Sequence, residues 1–207
     1  MILIGLTGSV GTGKTETSKM FLRRKIPVFE SDKQVAKILK VKKVLSIIKK
    51  NFPDALNGEK LIKEKLADIV FRDSKKLNIL EAIIYKKLKT IQAKWLRIQI
   101  MRRRKVVVFD VPLLFEKDNI AKYDVVMLTT CSYSIQRKRV LKRKSWSHKR
   151  FQLTYQKQFS EKIKKKKANI VVHTDRGKRY TLVKAMKVLE LSNCKKREIK
   201  KMLRVFI

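Results

Sequence analysis

The sequence is poor in acidic residues, in cysteine and in glycine, and it contains no long apolar run. Its two cysteines, Cys131 and Cys194, lie far apart and have no metal-like spacing, so the sequence predicts neither a disulfide framework nor a zinc site. No apolar run reaches the roughly 18 residues needed to cross a bilayer, and no basic leader segment precedes the first apolar stretch. We therefore expect a cytoplasmic protein without a membrane segment.

The scarcity of acidic residues leaves a large positive charge. There are 54 Lys and Arg against 17 Asp and Glu, and the formal net charge is +37. The positive residues are spread along the chain, with denser runs at 102–105, 162–167 and 195–197. No folded nucleic-acid-binding motif accompanies them, so we favour solvated lysines that reflect composition. The alternative is a dedicated nucleic-acid-binding surface, although charge alone indicates only nonspecific contact with nucleic acid.

Glycine is unevenly distributed as well as scarce. Four of the six glycines, Gly5, Gly8, Gly11 and Gly13, lie in one stretch between an apolar strand and an amphipathic helix. Residues 8–15 read Gly-Ser-Val-Gly-Thr-Gly-Lys-Thr, which is the pattern of a phosphate-binding loop. A chance match in a glycine-rich turn is the alternative, but the strand-loop-helix context favours a loop that binds a nucleoside triphosphate.

Each part of this loop has a chemical role in holding a triphosphate. The glycines let successive backbone N–H groups turn inward around the β-phosphate, and the following helix adds the positive end of its dipole. Lys14 supplies a charge that can follow the β- and γ-phosphates, and the Thr15 hydroxyl is placed to ligate Mg²⁺. The predicted nucleotide-binding residues are Gly8, Ser9, Val10, Gly11, Thr12, Gly13, Lys14 and Thr15.

Short apolar runs recur along the 207-residue chain, and a helix-like segment follows each of them. The predicted strands are residues 2–6, 26–29, 106–110, 125–129 and 170–173. β-Branched runs of this kind are typical of parallel strands that are buried on both faces. We expect a three-layer α/β fold, in which right-handed crossovers place helices on both sides of a five-stranded parallel sheet.

A stretch of roughly 70 residues separates the second and third predicted strands, far more than one crossover helix needs. We therefore expect an inserted helical module, whose clearest part is residues 74–104. Residues 136–167 are dense in positive charge, as in segments that close over a nucleotide, and residues 178–203 are predicted to be helical. The apolar stripe of the inserted helix, which we expect to pack in a core, contains Leu77, Leu80, Ile84, Leu88, Ile91, Trp95 and Ile98.

Two carboxylates lie where predicted strands end, at the edge where open α/β sheets bind ligands. Asp32 follows the second strand and is our candidate for orienting or deprotonating an acceptor hydroxyl; the alternative is that it caps the next helix. Asp110 ends the third strand and is our candidate for the Mg²⁺ shell; the alternative is a structural carboxylate.

Two arginines, Arg139 and Arg143, lie four positions apart in a predicted helix. At that spacing their guanidinium groups would share one face and could converge on phosphate oxygens as the site closes. A solvated pair is the alternative in a chain this basic.

Several separated motifs together resemble the dephospho-CoA kinase family over nearly the whole chain. Residues 5–15 are similar to that family's Gly-Leu-Thr-Gly-Gly-Ile-Gly-Ser-Gly-Lys-Ser start, and residues 30–32 to its Asp-Ala-Asp after the second strand. Residues 110–116, Asp-Val-Pro-Leu-Leu-Phe-Glu, match its most distinctive block. The later positions that match the family pattern are Gln136, Arg139, Arg143, Gln158, Lys164 and Ala168.

The resemblance implies an ATP-dependent kinase that phosphorylates the ribose 3′-hydroxyl of dephospho-CoA, on a fold with a core, a helical acceptor domain and a closing lid. The implied core is residues 1–50, 105–135 and 168–207, with an acceptor domain of residues 51–104 and a lid of residues 136–167. A monomer is expected.

The resemblance also implies roles for individual residues. Asp32 is the implied base. The implied phosphate-stabilising residues are Lys14, Arg139 and Arg143, and Arg143 is also an implied nucleotide-binding residue. Thr15 ligates Mg²⁺, and Asp110 is the candidate that the strand pattern adds to the Mg²⁺ shell. The implied acceptor-binding residues are Asp32, Lys63, Tyr85, Leu113, Phe115 and Gln158.

Some departures from the family pattern bear on the predicted roles. Glu30 replaces the first Asp of its motif, Lys63 stands where Arg is usual, Tyr85 and Lys86 replace His-Pro, and Asn169 replaces Asp. All but the last bear on the acceptor side, so a relative that binds nucleotide without turnover is a further alternative, beside a basic ATPase that acts on nucleic acid.

Overall fold

The protein is described by a computed structural model, which covers residues 1–144 and 146–193. Cys194, the basic run at 195–197 and the predicted helical residues 194–203 lie outside the described residues. In chain order the elements are β1 (Ile2–Gly8), α1 (Lys14–Arg23), β2 (Val28–Glu30), α2 (Ser31–Ile38), α3 (Lys42–Asn51), β3 (Leu56–Asn57), β4 (Lys60–Leu61), α4 (Lys63–Arg72), α5 (Ser74–Met101), β5 (Val106–Asp110), β6 (Val125–Thr130), α6 (Tyr133–Leu141), α7 (His148–Gln156), α8 (Glu161–Lys167), β7 (Ile170–His173) and α9 (Lys178–Met186).

The chain divides into two compact units. One contains residues 1–30 and the described residues from Gln99 onward, and the other is Ser31–Ile98. Residues 31–50, which the sequence placed in the core, therefore belong to the second unit. No helix of the described residues is long and apolar enough to cross a bilayer.

A five-stranded parallel sheet forms the centre of the first unit, in the order β2-β5-β1-β6-β7. The prediction of this sheet from five apolar runs is confirmed, although β2 begins at Val28 and not at residue 26. Every residue of β5 and β6 is buried, as expected for strands covered on both faces.

Side chains alternate between two cores on opposite faces of the sheet. Along β6, Val125 and Met127 lie in one cluster with Phe21 of α1 and Ala185 of α9. Val126 and Leu128 lie in a second cluster, with Leu114, Phe115 and Ala168. Because both faces are covered, the fold has the predicted three layers.

Strand register brings the functional segments to one edge of the sheet. Leu6 of β1 and Glu30 of β2 both pair with Asp110, the last residue of β5. Gly8, where β1 ends, pairs with Thr129 near the end of β6. All of these strands are parallel, so the loop after β1 and the block after β5 both leave the sheet at its carboxyl edge.

The second unit is helical, with one short hairpin made by β3 and β4. Its longest helix, α5, has 28 residues. The predicted apolar stripe of α5 is only partly buried: Leu80 and Leu88 lie in the interior, whereas Leu77 and Ile98 are exposed. The expectation that the whole stripe packs in a core is therefore wrong at its two ends.

Candidate active site

The phosphate-binding loop runs from the end of β1 to the start of α1. Gly11 and Gly13 have φ angles of 81° and 92°, which are strained for residues with a side chain. A Cβ atom on Gly11 would lie 2.6 Å from Val140 Cγ2 and 2.9 Å from the carbonyl oxygen of Gln136. Position 11 therefore requires glycine for two reasons: its positive φ angle and the lack of room for a Cβ atom.

Thr12 holds the loop in a closed turn. Its backbone N–H and its hydroxyl both donate to the carbonyl oxygen of Ser9, at 3.2 and 2.8 Å. The hydroxyl oxygen also lies 3.0 Å from that of Thr129 on β6. The turn is thus bonded to the neighbouring strand as well as to itself.

Lys14 and Asp110 meet at the carboxyl edge of the sheet. The Lys14 ammonium donates to the Asp110 carboxylate in an ion pair, and the two side chains are only 14% and 9% exposed. The structure therefore brings together the predicted phosphate-binding lysine and the predicted Mg²⁺-shell carboxylate. Thr15 lies one residue further on, in the first turn of α1, and is exposed.

The donor set at this edge fits a magnesium ion held partly by phosphate. Among residues 1–144 and 146–193 no group of three or more His, Cys, Asp or Glu side chains could hold a metal by itself. Mg²⁺ characteristically takes one or two carboxylates, with phosphate oxygens and water completing its shell. One carboxylate and one hydroxyl, Asp110 and Thr15, match that requirement.

The block after β5 forms a strained turn. Leu113 has a φ of 52°, uncommon for a residue with a branched side chain, and it is exposed. Phe115 is 2% exposed and packs in the core beneath the turn. That burial does not support the predicted contact between Phe115 and the acceptor, and we assign its side chain to packing.

A buried lysine connects this block to the phosphate loop. Lys164 of α8 is 2% exposed; its ammonium lies 3.0 Å from Oε1 of Glu116 and donates to the Ser9 hydroxyl at 2.7 Å. Glu161 accepts from the hydroxyls of Ser9 and Thr130, at 2.8 and 2.6 Å. Ser9, which stands where the resembled pattern has glycine, thus supplies a hydroxyl to two charged side chains.

Two glutamines bond the backbone of Val10 in the loop. The Gln136 amide donates to the Val10 carbonyl oxygen at 2.6 Å, and the Val10 N–H donates to Oε1 of Gln158 at 3.3 Å. The structure therefore places Gln158 against the phosphate loop. Its contact with the acceptor stays a prediction.

Arg139 lies in helix α6, whereas Arg143 lies two residues beyond its end at Leu141. The Arg143 N–H donates to the Val140 carbonyl oxygen three residues back, as in the tight last turns that close helices. The convergence of the two arginines on phosphate stays a prediction. Arg139 donates twice to Thr174, to its hydroxyl at 2.8 Å and to its carbonyl oxygen at 3.0 Å.

The remaining predicted acceptor residues lie on the surface of the second unit. Asp32 is the second residue of α2, Lys63 is the first residue of α4, and both are exposed. Tyr85 lies on α5 and is 45% exposed, and Lys86 beside it is also exposed. Their roles towards an acceptor stay predictions.

Burial and hydrogen bonding shift the pKa values of two groups near the loop. Burial raises the pKa of the Cys131 thiol above its ordinary value, which keeps it protonated at neutral pH. The pKa of Asp175 is lowered, although burial by itself would raise it. The Ser132 N–H donates to the Asp175 carboxylate at 2.8 Å, and the positive charges of His173 and Arg139 lie nearby; together they favour the ionised form. An idle, buried thiol, as expected from the sequence, fits Cys131.

The residues that sequence reasoning missed are mainly those that join the loop to distant segments. Neither Thr174 nor Glu161 was predicted to take part in the site, and Lys164 and Glu116 were noted only as matching positions. For Glu116, the one available signal was its position at the end of the distinctive block of residues 110–116.

Comparison with known proteins gives one consistent result. A model of the dephospho-CoA kinase family matches residues 2–179. Dephospho-CoA kinase from Bartonella quintana is 30% identical over 190 residues, which cover 92% of this chain and 97% of the relative. The Bartonella henselae enzyme is 32% identical over 174 residues, covering 84% of this chain and 89% of the relative.

Solved structures agree in fold. A Thermus thermophilus protein superimposes with a TM-score of 0.83 at 26% identity, covering 94% of this chain and 98% of its own. Dephospho-CoA kinase from Campylobacter jejuni gives a TM-score of 0.67 at 19% identity, and the match covers 91% of this chain and 96% of that enzyme. Shikimate kinase from Acinetobacter baumannii gives a TM-score of 0.53 at 13% identity, and the match covers 94% of this chain and 96% of that enzyme. At this identity the likeness concerns the fold alone.

Proposed function

The chain belongs to the dephospho-CoA kinase family, and from this premise we propose that it transfers the γ-phosphate of ATP to the ribose 3′-hydroxyl of dephospho-CoA. The products are coenzyme A and ADP. The observation that carries the proposal is the glycine loop at the end of β1, with Lys14 paired to Asp110 at the carboxyl edge of the sheet. This arrangement suits the tail of a triphosphate.

The loop would bind ATP through its backbone and one charge. Gly11 and Gly13 adopt φ angles that let amide groups face a phosphate, and α1 begins directly behind them. The Lys14 ammonium would exchange part of its contact with Asp110 for the β- and γ-phosphate oxygens. The loop residues from Gly8 to Thr15 are accordingly proposed as the nucleotide site.

Thr15 and Asp110 would hold Mg²⁺ with the phosphates. When bound, the ion would supply positive charge that offsets the negative charge developing on the phosphate oxygens. Apart from that, the chain's own groups bind, orient and shield the reactants. Phosphoryl transfer depends chiefly on positioning and electrostatics, so an ion that compensates charge and protein groups that position the reactants are together sufficient for the reaction.

Asp32 is proposed to accept the proton of the 3′-hydroxyl as its oxygen attacks the γ-phosphorus. A new O–P bond forms as the bond to the β-phosphate oxygen breaks, and ADP leaves with that electron pair. Arg139 and Arg143 are proposed to stabilise the transferred phosphate. Contacts to the acceptor are proposed for Lys63, Tyr85, Leu113 and Gln158.

Steady-state ADP formation tests this function. Purified protein is assayed with Mg-ATP alone, with dephospho-CoA, and with single-stranded or duplex nucleic acid. We expect ADP formation to depend on dephospho-CoA and to be unaffected by nucleic acid. Stimulation by nucleic acid alone would contradict the proposal and favour a nucleic-acid ATPase, whereas ATP binding without ADP formation would indicate a relative that has lost turnover.

A further inference from the structure

We propose that Thr174 is a positioning residue that orients the Arg139 guanidinium relative to the phosphate loop. The proposal rests on the proposed function, because it concerns the arginine assigned to the transferred phosphate. Thr174 follows β7 and is 9% exposed, and it lies where three separate segments of the first unit meet.

The side chain and the backbone of Thr174 both bond Arg139. The guanidinium donates from Nη1 to the hydroxyl at 2.8 Å and from Nη2 to the carbonyl oxygen at 3.0 Å. Two parallel acceptors on one residue match the planar fork of a guanidinium, so together they fix the direction of its plane. A single acceptor would leave that plane free to rotate.

The same hydroxyl is bonded to the phosphate loop. It donates to the carbonyl oxygen of Thr12 at 2.7 Å, two residues before Lys14. A threonine hydroxyl has one proton, so accepting from Arg139 and donating to Thr12 are compatible roles. One oxygen atom therefore connects the proposed phosphate-stabilising arginine to the loop backbone.

Close packing keeps Thr174 in this place. Its N–H donates to the carbonyl oxygen of Thr130 at 2.8 Å, at the end of β6. A Cβ atom on Gly13 would lie only 3.0 Å from the Thr174 hydroxyl oxygen, so the threonine packs directly on the loop glycine. The Thr174 hydroxyl also lies 3.3 Å from the carbonyl oxygen of Thr130, so its proton has backbone acceptors on both the loop and β6, and its lone pairs remain available to accept from Arg139.

The test compares Thr174→Val with Thr174→Ser. Valine keeps the shape and removes the hydroxyl, whereas serine keeps the hydroxyl. We expect valine to lower kcat for coenzyme A formation about tenfold, the usual scale for a lost hydrogen bond to a charged group, with the KM for dephospho-CoA within about twofold of wild type. Serine should restore kcat to within about threefold of wild type.

The control is Thr181→Val. Thr181 is also buried, and its hydroxyl donates to a backbone carbonyl, that of Gly177 at 2.9 Å, but this bond is local to the start of α9. This variant should lose a similar bond without changing kcat. If Thr174→Val fails to fold, Thr174→Ala takes its place, since it removes the hydroxyl with less steric change.

A double-variant cycle identifies the partner. If Thr174 acts through Arg139, adding Thr174→Val to Arg139→Met should change kcat no further than about twofold. The proposal is overturned if Thr174→Val keeps wild-type kcat, or if its effect multiplies in full with that of Arg139→Met.

Failure of the proposed function gives a different result. Wild-type protein would then form no coenzyme A, and the same variants would be titrated with Mg-ATP. The positioning proposal predicts that Thr174→Val and Arg139→Met weaken ATP binding to the same degree, and wild-type affinity in Thr174→Val would overturn it.

Discussion

Replacement of Asp32, the proposed base, is expected to separate nucleotide binding from chemistry. Asp32→Asn keeps the size of the side chain but removes its capacity to accept a proton. We expect kcat to fall by about 10²-fold to 10⁴-fold, the usual range for a general base, while the affinity for Mg-ATP measured by calorimetry is unchanged.

The matched control for Asp32 is Asp68→Asn. Asp68 is also an exposed carboxylate on a helix of the second unit, and no role in the site is assigned to it. It should keep wild-type kcat. Normal turnover in Asp32→Asn would contradict the assignment of the base.

His173 gives a prediction for stability against pH. Burial, and after it the positive charges of Lys165 and Arg176, lower the pKa of His173 below 6.5 in the folded protein. In the window between the lowered pKa and 6.5, the unfolded chain binds more protons, so the free energy of unfolding rises with pH. The contribution is fully present above pH 6.5 and is lost as the pH falls through the folded pKa.

Urea unfolding at a series of pH values from about 5 to about 7.5 measures this effect. His173→Gln should flatten the dependence in that window, whereas His148→Gln, at the chain's other histidine, serves as the control. Parallel curves for wild type and His173→Gln would show that His173 does not contribute.

Individual residues could be predicted from the sequence where a local pattern identifies them. Gly11, Gly13 and Lys14 belong to one short motif, whose spacing alone indicates its chemistry. Thr174 could not be predicted, because its partner Thr12 lies 162 positions away and nothing in the local sequence indicates the contact. Its role depends on β7 lying beside β6.

At the scale of elements, the turn between β1 and α1 depends on the absence of a side chain. Gly11→Ala places a methyl group against Val140 Cγ2 and the Gln136 carbonyl oxygen, and also forces alanine to a φ of 81°. We expect a loss of stability larger than the roughly 1 kcal/mol of the φ strain alone, together with weaker Mg-ATP binding.

Gly58→Ala separates these two costs. Gly58 has a φ of 60°, but a Cβ atom there would have no neighbour within 4 Å. Thermal unfolding and ATP titration of both variants make the comparison. Equal stability loss and equal ATP affinity would contradict the importance of close packing around the loop.

Helix α8 is held to the phosphate loop by Lys164, the one buried lysine among the five of this helix. Lys164→Met removes the charge that faces Glu116 and the donor to Ser9, and it leaves a carboxylate that is 12% exposed without its cation. We expect the free energy of unfolding to fall by about 3 kcal/mol.

Lys165→Met is the control, because that lysine is exposed on the same helix. Urea denaturation should show a change within about 0.5 kcal/mol for this variant. A similar small change in Lys164→Met would mean that the buried ion pair does not anchor the helix.

The five strands of the parallel sheet were predictable because each is a short apolar run with its own end signals, whereas the two-residue strands β3 and β4 are too short to show such a pattern. The end of α6 was not, because residues 142–144 continue the basic pattern of the helix, and only the backbone bond from Arg143 to Val140 shows that it has closed. Lysine and arginine occur both before and after the end of α6, and no glycine or proline marks the point where the helix stops.

At the scale of the whole molecule, the loop signals near residue 51 predict that the inserted helical domain begins there, whereas the second compact unit begins at Ser31 and already contains α2 and α3. A loop inside a helical unit has the same composition as a loop between units, so composition cannot distinguish them. The predicted monomeric state and cytoplasmic location stay predictions.

The formal charge of +37 is compatible with a small-molecule kinase, because both proposed substrates are anionic phosphates. Such a charge also attracts nucleic acid without specificity, with an affinity that falls steeply as salt rises. Charge by itself therefore does not decide the function, and the product of the reaction must.

The most direct measurement is mass spectrometry of dephospho-CoA after incubation with the protein, Mg²⁺ and ATP labelled in its γ-phosphate. The account predicts a product heavier by one labelled phosphate, carried on the ribose 3′-oxygen, and no such product with Lys14→Ala. Unmodified dephospho-CoA in the presence of folded wild-type protein, or a phosphate on any other oxygen, would contradict it.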